Sequence, residues 1–321
     1  LSRAGRGLNR PTALTRTLAT LAAAAALLSE ARPADGVRLR YGFKPSAAYE
    51  QTLGLDLAMT FDPASVPGPL LTLLQSMTGE VKQEVTSKAR LQTKTRNADG
   101  SLPFEYKILE AKGELTQGGR TRSIPALEQA ASRPPAEGRV APDGRQAILD
   151  APGTGTEGIP KRVRERVADS LPVLPEKELR IGDSFETRTS LTLPGPSGKG
   201  ESQVQAVWVY TLKTLTRKEA TFDVKQSLPE TASMPAGQGQ KLEMAGGGTG
   251  SAVFDLASGL FRSIQVNLDL TMAMDVPLPA GLTMGDAGST PSKDGSSGSA
   301  PAPTRIKVFV KGPMTMTLAP A

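Results

Sequence analysis

Two long runs of period-two alternation constrain this chain more than any other feature. Across 49–61 the odd positions read Tyr49, Gln51, Leu53, Leu55, Leu57, Met59 and Phe61, against Glu50, Thr52, Gly54, Asp56, Ala58 and Thr60 at the even ones. Across 260–276, Leu260, Ile264, Val266, Leu268, Leu270, Met272, Met274 and Val276 alternate with Phe261, Ser263, Gln265, Asn267, Asp269, Thr271, Ala273 and Asp275. Successive strand side chains point to opposite faces, so each run predicts a strand with one apolar and one mostly polar face. Strands of this kind build antiparallel sheets with one side on a core and the other in water.

Further strands follow from the same pattern. Residues 37–44 (VRLRYGFK) predict a short opening strand. Residues 81–94 alternate Val81, Val85, Ala89 and Leu91 with Lys82, Glu84, Lys88 and Arg90, and the turn Asn97-Ala98-Asp99-Gly100 predicts a hairpin resumed at Phe104, Tyr106 and Ile108. Strands are expected again over 179–193, 202–216 and 220–228, then 252–259 turning into the long strand 260–276, and over 305–311, with a final piece after Pro313. The stretch 117–180 reads as an insertion of loops, a small hairpin on Pro142-Asp143-Gly144, and an amphipathic helix whose Ile159, Val163, Val167 and Leu171 share one face. Residues 277–304 are low-complexity and polar and predict a flexible loop. The fold expected is all-β in the main: one large curved antiparallel sheet or half-barrel of roughly ten long strands with one amphipathic helix. After residues 1–31, a single β-rich domain is expected over 32–321.

Residues 1–31 combine Arg3, Arg6, Arg10 and Arg16 with the uncharged run 17–28 and a small-residue site at Ser29-Glu30-Ala31. Those are the parts of a secretory signal peptide, and the apolar run is too short to span a bilayer. A secreted, periplasmic or extracellular protein is expected, with no transmembrane segment once the signal is removed. Without these residues the net charge falls from +6 to +3, which gives little reason to invoke nucleic acid. With no cysteine in the chain, stability must come from the sheet and its core alone.

Composition removes most chemistry. With neither histidine nor cysteine, a Ser-His-Asp triad, a Cys-His pair and histidine-ligated zinc are excluded. Asp183 follows Gly182 at a strand start, where aspartate caps its own turn. Glu105, Asp223 and Asp269 fall on strand faces that read as solvated, so paired carboxylates for a hydrolase do not emerge. The run Gly246-Gly247-Gly248-Thr249-Gly250-Ser251 lacks the Gly-Lys-Ser/Thr ending of a phosphate loop and reads as a glycine hinge or bulge. No catalytic residue, metal site or cofactor is expected, and the chain reads as a non-enzyme.

The order of elements carries a resemblance. An opening strand, a long Leu-rich strand, a small central hairpin, a helix ending in Leu171-Pro172 and then Ile181-Gly182-Asp183-Ser184-Phe185 resemble a family of secreted bacterial proteins whose function is not known. There the last segment usually reads Val-Gly-Asp-Ser-Trp. Phe254-Asp255-Leu256-Ala257-Ser258-Gly259-Leu260 resembles the hairpin that family places before its penultimate long strand. The family is similar in outline to the lipoprotein-carrier architecture, a curved half-barrel whose concave face holds acyl chains. That resemblance implies a cell-envelope protein binding a lipid or other apolar ligand. Leu53, Leu55, Leu57, Met59, Val266, Leu268 and Met272 are the residues expected to line the face, with methionine lending adaptability. The alternative is a structural or interaction module that meets an envelope protein partner and holds no small ligand.

Overall fold

The computed structural model describes residues 36–65, 80–141, 144–148, 171–194, 201–228, 232–235, 241–276 and 304–321. Within them lie thirteen strands: β1 (Ala48–Phe61), β2 (Val81–Thr93), β3 (Leu102–Gln117), β4 (Arg120–Ser123), β5 (Ala136–Val140), β6 (Gln146–Ile148), β7 (Ser184–Pro194), β8 (Glu201–Leu215), β9 (Glu219–Ser227), β10 (Ala232–Pro235), β11 (Lys241–Asp255), β12 (Leu260–Val276) and β13 (Thr304–Pro320). All belong to one antiparallel sheet, in the order β6-β5-β3-β2-β1-β13-β12-β11-β9-β8-β7, with β4 pairing β3 and β10 pairing β11. The topology is two meanders, one on each side of the junction where β1 pairs β13. The sheet is curved and open, as the alternation predicts.

Among the described residues, helix is confined to α1 (Pro125–Glu128) and two 3-10 turns, Pro63–Ser65 and Gln129–Ser132. The expected amphipathic helix lies, apart from Leu171, outside the described residues. So do the expected signal segment 1–31 and all but the last residue of 277–304. Part of the 117–180 stretch extends the sheet: β4 and β5 pair β3, and β5 pairs β6 across the hairpin whose turn closes with the Gly144 N–H donating to the Ala141 carbonyl (2.9 Å). The β2–β3 hairpin closes where expected, with Asn97 N–H donating to the Ser101 carbonyl (2.9 Å) and Gly100 N–H to that of Asn97 (3.0 Å).

Opposed residues of neighbouring strands share a face, so the register separates two faces. The inner face carries the core. Phe104, Phe222, Phe254 and Phe261 are each at most 1% exposed, and each such ring contributes roughly 1.5–3 kcal/mol by leaving water. The rings form a chain: Phe185 stacks on Tyr210 (5.0 Å), Tyr210 meets Phe261 (5.8 Å), and Phe261 meets Phe254 (5.0 Å). Tyr41 then carries it from Phe254 (6.2 Å) to Phe43 (5.6 Å), which meets Tyr49 on β1 (5.0 Å). Residues from both meanders thereby share one core.

Three differences from the sequence reading have physical causes. Residues 36–47 form no strand: their backbone pairs at isolated points, Val37 with Leu179, Gly42 N–H with the Gly259 carbonyl (3.0 Å), and Ala47, whose carbonyl accepts from Thr93 N–H (2.9 Å). They lie as an extended plug whose Leu39 and Phe43 are buried in the core. The contact with β12's turn is backbone on backbone, since a Cβ on Gly42 would lie 2.1 Å from the Ser258 carbonyl oxygen. Phe261, expected on the polar face, is buried, because the β11–β12 register shifts between Val253 and Phe254 and turns it inward beside Leu260. β13 runs unbroken through Pro313, which faces outward opposite Asn267.

Burial pushes the Tyr106 phenol up to about 12 and that of Tyr210 higher still; Tyr41 is raised well above its ordinary value by burial and then by its neighbour Tyr210. Unfolded, these phenols ionise near 10. Between the two values the unfolded chain is the more deprotonated, so rising pH favours unfolding. The urea midpoint is expected to hold steady with respect to these groups up to about pH 10 and to fall from there through about pH 12. Tyr210→Phe is expected to make that fall shallower. A midpoint that rises over this range would contradict the burial of these rings.

Candidate functional site

The candidate site is the part of the inner face that the plug does not cover. It is built on β1, β13 and β12, whose pairing sets three strands side by side. Leu53 opposes Met316, which opposes Ile264; Leu55, Met314 and Val266 form the next rank. Gly312 lies between Leu57 and Leu268, Val310 between Met59 and Leu270, and Val308 between Phe61 and Met272. All seven residues expected from the sequence therefore fall on one continuous face.

They are not equally open. Tyr49, at the plugged end of β1, is 3% exposed, whereas Leu53 is 38% exposed. Leu55, Leu57, Met59, Leu268 and Met272 are half-buried. Val266 is 1% exposed and belongs to the packed core. Sequence reasoning placed the central strand in two pieces and named none of its residues for this face. Ile306, Val308, Val310, Met314, Met316 and Leu318 do alternate, but Gly312-Pro313 reads as a break. The ladder yields there instead: β1–β13 pairing lapses at Asp56 and Leu57 while β12 stays paired throughout.

The glycine run of β11 shapes the other flank. It is neither hinge nor bulge, since β11 keeps its register with β12 from Leu242 to Val253. Gly248 opposes Leu268 and Gln226 on the inner face, and a Cβ there would lie 2.6 Å from Val266 Cγ1 and 3.0 Å from Leu268 Cδ2. Absence of a side chain lets Val266 and Leu268 lean across the strand. Beyond it Ala206, Leu228 and Met244 form a second buried cluster, against which Trp208, Leu270 and Met272 pack.

Charge is segregated by face. Along the eleven strands of the main path, no described side chain on the inner face belongs to Asp, Glu, Lys or Arg; the rim strand β4 adds only the exposed Arg120 and Arg122. The outer face holds the ions and pairs them. Lys94 bonds Glu105 (2.9 Å) and Glu137 (2.8 Å), Lys213 bonds Asp223 (2.9 Å), Lys311 bonds Asp269 (3.0 Å) and Lys88 bonds Glu50 (2.7 Å). The three carboxylates weighed as hydrolase candidates are thus ion-paired on separate stretches of the outer sheet. Asp183 caps its turn, its Oδ2 accepting from Arg180 N–H (2.8 Å). A shallow outer depression of about 470 Å³, lined by polar strand positions such as Thr211, Asp223, Lys225, Thr249 and Asn267, includes none of the expected residues. Among the described residues, no group of three or more acidic side chains could hold a metal ion, and no helix is long and apolar enough to cross a membrane.

No protein-family model matches this chain, and no curated protein matches it.

Gly248→Ala is expected to destabilise the sheet by about 1–3 kcal/mol through overpacking against Val266 and Leu268. Thr249→Ala, on the outer face of the same strand, is expected to change stability by less than about 0.5 kcal/mol. Urea unfolding of the two variants tests this, and equal effects would contradict the tight packing over Gly248.

Proposed function

We propose that this protein is a non-enzymatic cell-envelope protein that holds a lipid or other apolar ligand on the inner face of its sheet, after export directed by residues 1–31. One observation carries the reading. The inner face is continuous and free of charge across β1, β13 and β12, yet beyond the part packed by the plug its β1 and β12 positions stay half-open, on either side of a β13 whose Val310 and Ile306 are buried. Exposed apolar surface of this extent is unfavourable in water, and a bound chain of methylenes would remove it at roughly 25 cal/mol per Å². Two of the half-open positions are methionine, Met59 and Met272, whose flexible thioethers accommodate chains of differing shape. The resemblance to the lipoprotein-carrier outline supports the same reading.

The test is uptake of the neutral apolar dye Nile red by the purified chain. Wild-type protein is expected to bind it with enhanced, blue-shifted emission. Leu57→Asp and Leu268→Asp each place a carboxylate on the half-buried face and are expected to weaken binding at least about tenfold. Lack of uptake by folded wild-type protein would sink the ligand reading and favour a scaffold that meets a protein partner.

A further inference from the structure

β9 directs Ala220, Phe222, Val224 and Gln226 to the inner face, and Leu228 beyond its end continues the alternation. All five are buried, and four are apolar. The fifth, Gln226, is 4% exposed, and its Oε1 has no hydrogen-bond partner. Its flanks explain why. On one side it opposes Trp208, whose indole Nε1–H is already given to Thr189 Oγ1 (2.9 Å). On the other it opposes Gly248, which has no side chain to offer. An amide oxygen left without a donor in an apolar setting is destabilising, and leucine or methionine would fill this position without that penalty.

We propose that Gln226 is the polar anchor of the apolar face, holding the hydroxyl of an uncharged, hydroxyl-bearing lipid such as a long-chain alcohol. This inference rests on the ligand reading given above. A hydroxyl suits the site because it donates to an amide oxygen and accepts from an amide N–H. A carboxylate does not, since it brings a charge and only acceptor lone pairs to a face whose main-path strands carry no cation. Gln226, Gly248, Leu268, Gly312 and Leu57 occupy one rank across five neighbouring strands. At the usual strand spacing Gln226 and Leu57 are about 19 Å apart along the sheet, so an anchored chain would run across Leu268 toward the half-open leucines of β1.

The chain's one tryptophan, Trp208, neighbours the proposed anchor and serves as the reporter. Its emission is followed while full-length protein is titrated separately with dodecanol, dodecanoate and dodecane. Wild type is expected to bind dodecanol about tenfold or more tighter than dodecanoate. Gln226→Leu is expected to weaken dodecanol binding about fivefold while leaving dodecane binding unchanged or tighter, and to unfold at an equal or higher urea concentration. Gln226→Met provides the same comparison should the leucine variant not fold, and the alcohol-to-carboxylate ratio needs no variant at all. Equal effects of Gln226→Leu on dodecanol and dodecane would overturn the anchor while leaving the ligand reading intact. So would tighter binding of dodecanoate, the outcome expected if Arg120 and Arg122 at the rim held the head group. Uptake of none of the three would overturn the ligand reading and the anchor together.

Discussion

The fold depends on one continuous chain of aromatic contacts. An open antiparallel sheet of this width has no intrinsic reason to curl around one particular space, and its edges do not close by hydrogen bonding. Here the rings of Phe185, Tyr210, Phe261 and Phe254 on one meander reach Tyr49 on the other only through Tyr41 and Phe43 of the plug. The plug is fixed by polar contacts as well. Tyr41 donates to the Pro172 carbonyl (2.7 Å), Lys44 N–H donates to Tyr49 Oη (2.7 Å), and buried Thr93 accepts from Ala47 N–H (2.9 Å). A short segment outside the strands thus joins the cores of strands many residues away.

Closing one end this way leaves the other end with an apolar surface that the described elements do not fully cover. The gradient along β1, from buried Tyr49 to exposed Leu53, marks where packing stops. Segregation of the described strands' ion pairs to the outer sheet then has two effects. It keeps a large β surface in water, and it leaves the inner face electrically neutral. Were a ligand to occupy it, a neutral face would select by shape and by hydrogen bonding, through the few uncharged polar groups on it, Gln226 above all.

Much of this architecture was legible in the chain, and the misses are specific. The alternations at 49–61 and 260–276 place β1 and β12 and identify the face they share, because a half-buried strand must alternate. That the two flank a third strand was not legible: pairing order is a long-range property, and β13 reads as two pieces on either side of Pro313. Phe261 was assigned outward because a one-residue register shift inverts the faces and leaves no mark in periodicity. Residues 37–44 read as a strand because Val37, Leu39, Tyr41 and Phe43 alternate, though a plug packed from several directions rewards the same residues. Gln226 went unnoticed for a simpler reason. A polar residue at an inward position looks like imperfect alternation until the structure denies it a partner.

The central claim is that the inner face is a seat for an apolar ligand and not a core that happens to be exposed. Native mass spectrometry of the purified protein, with organic extraction of the same preparation, tests it most directly. A lipid-sized added mass that disappears on extraction, with an uncharged hydroxyl-bearing lipid recovered in the organic phase, is the expected result. A single bare protein mass, with no lipid in the extract, would contradict it.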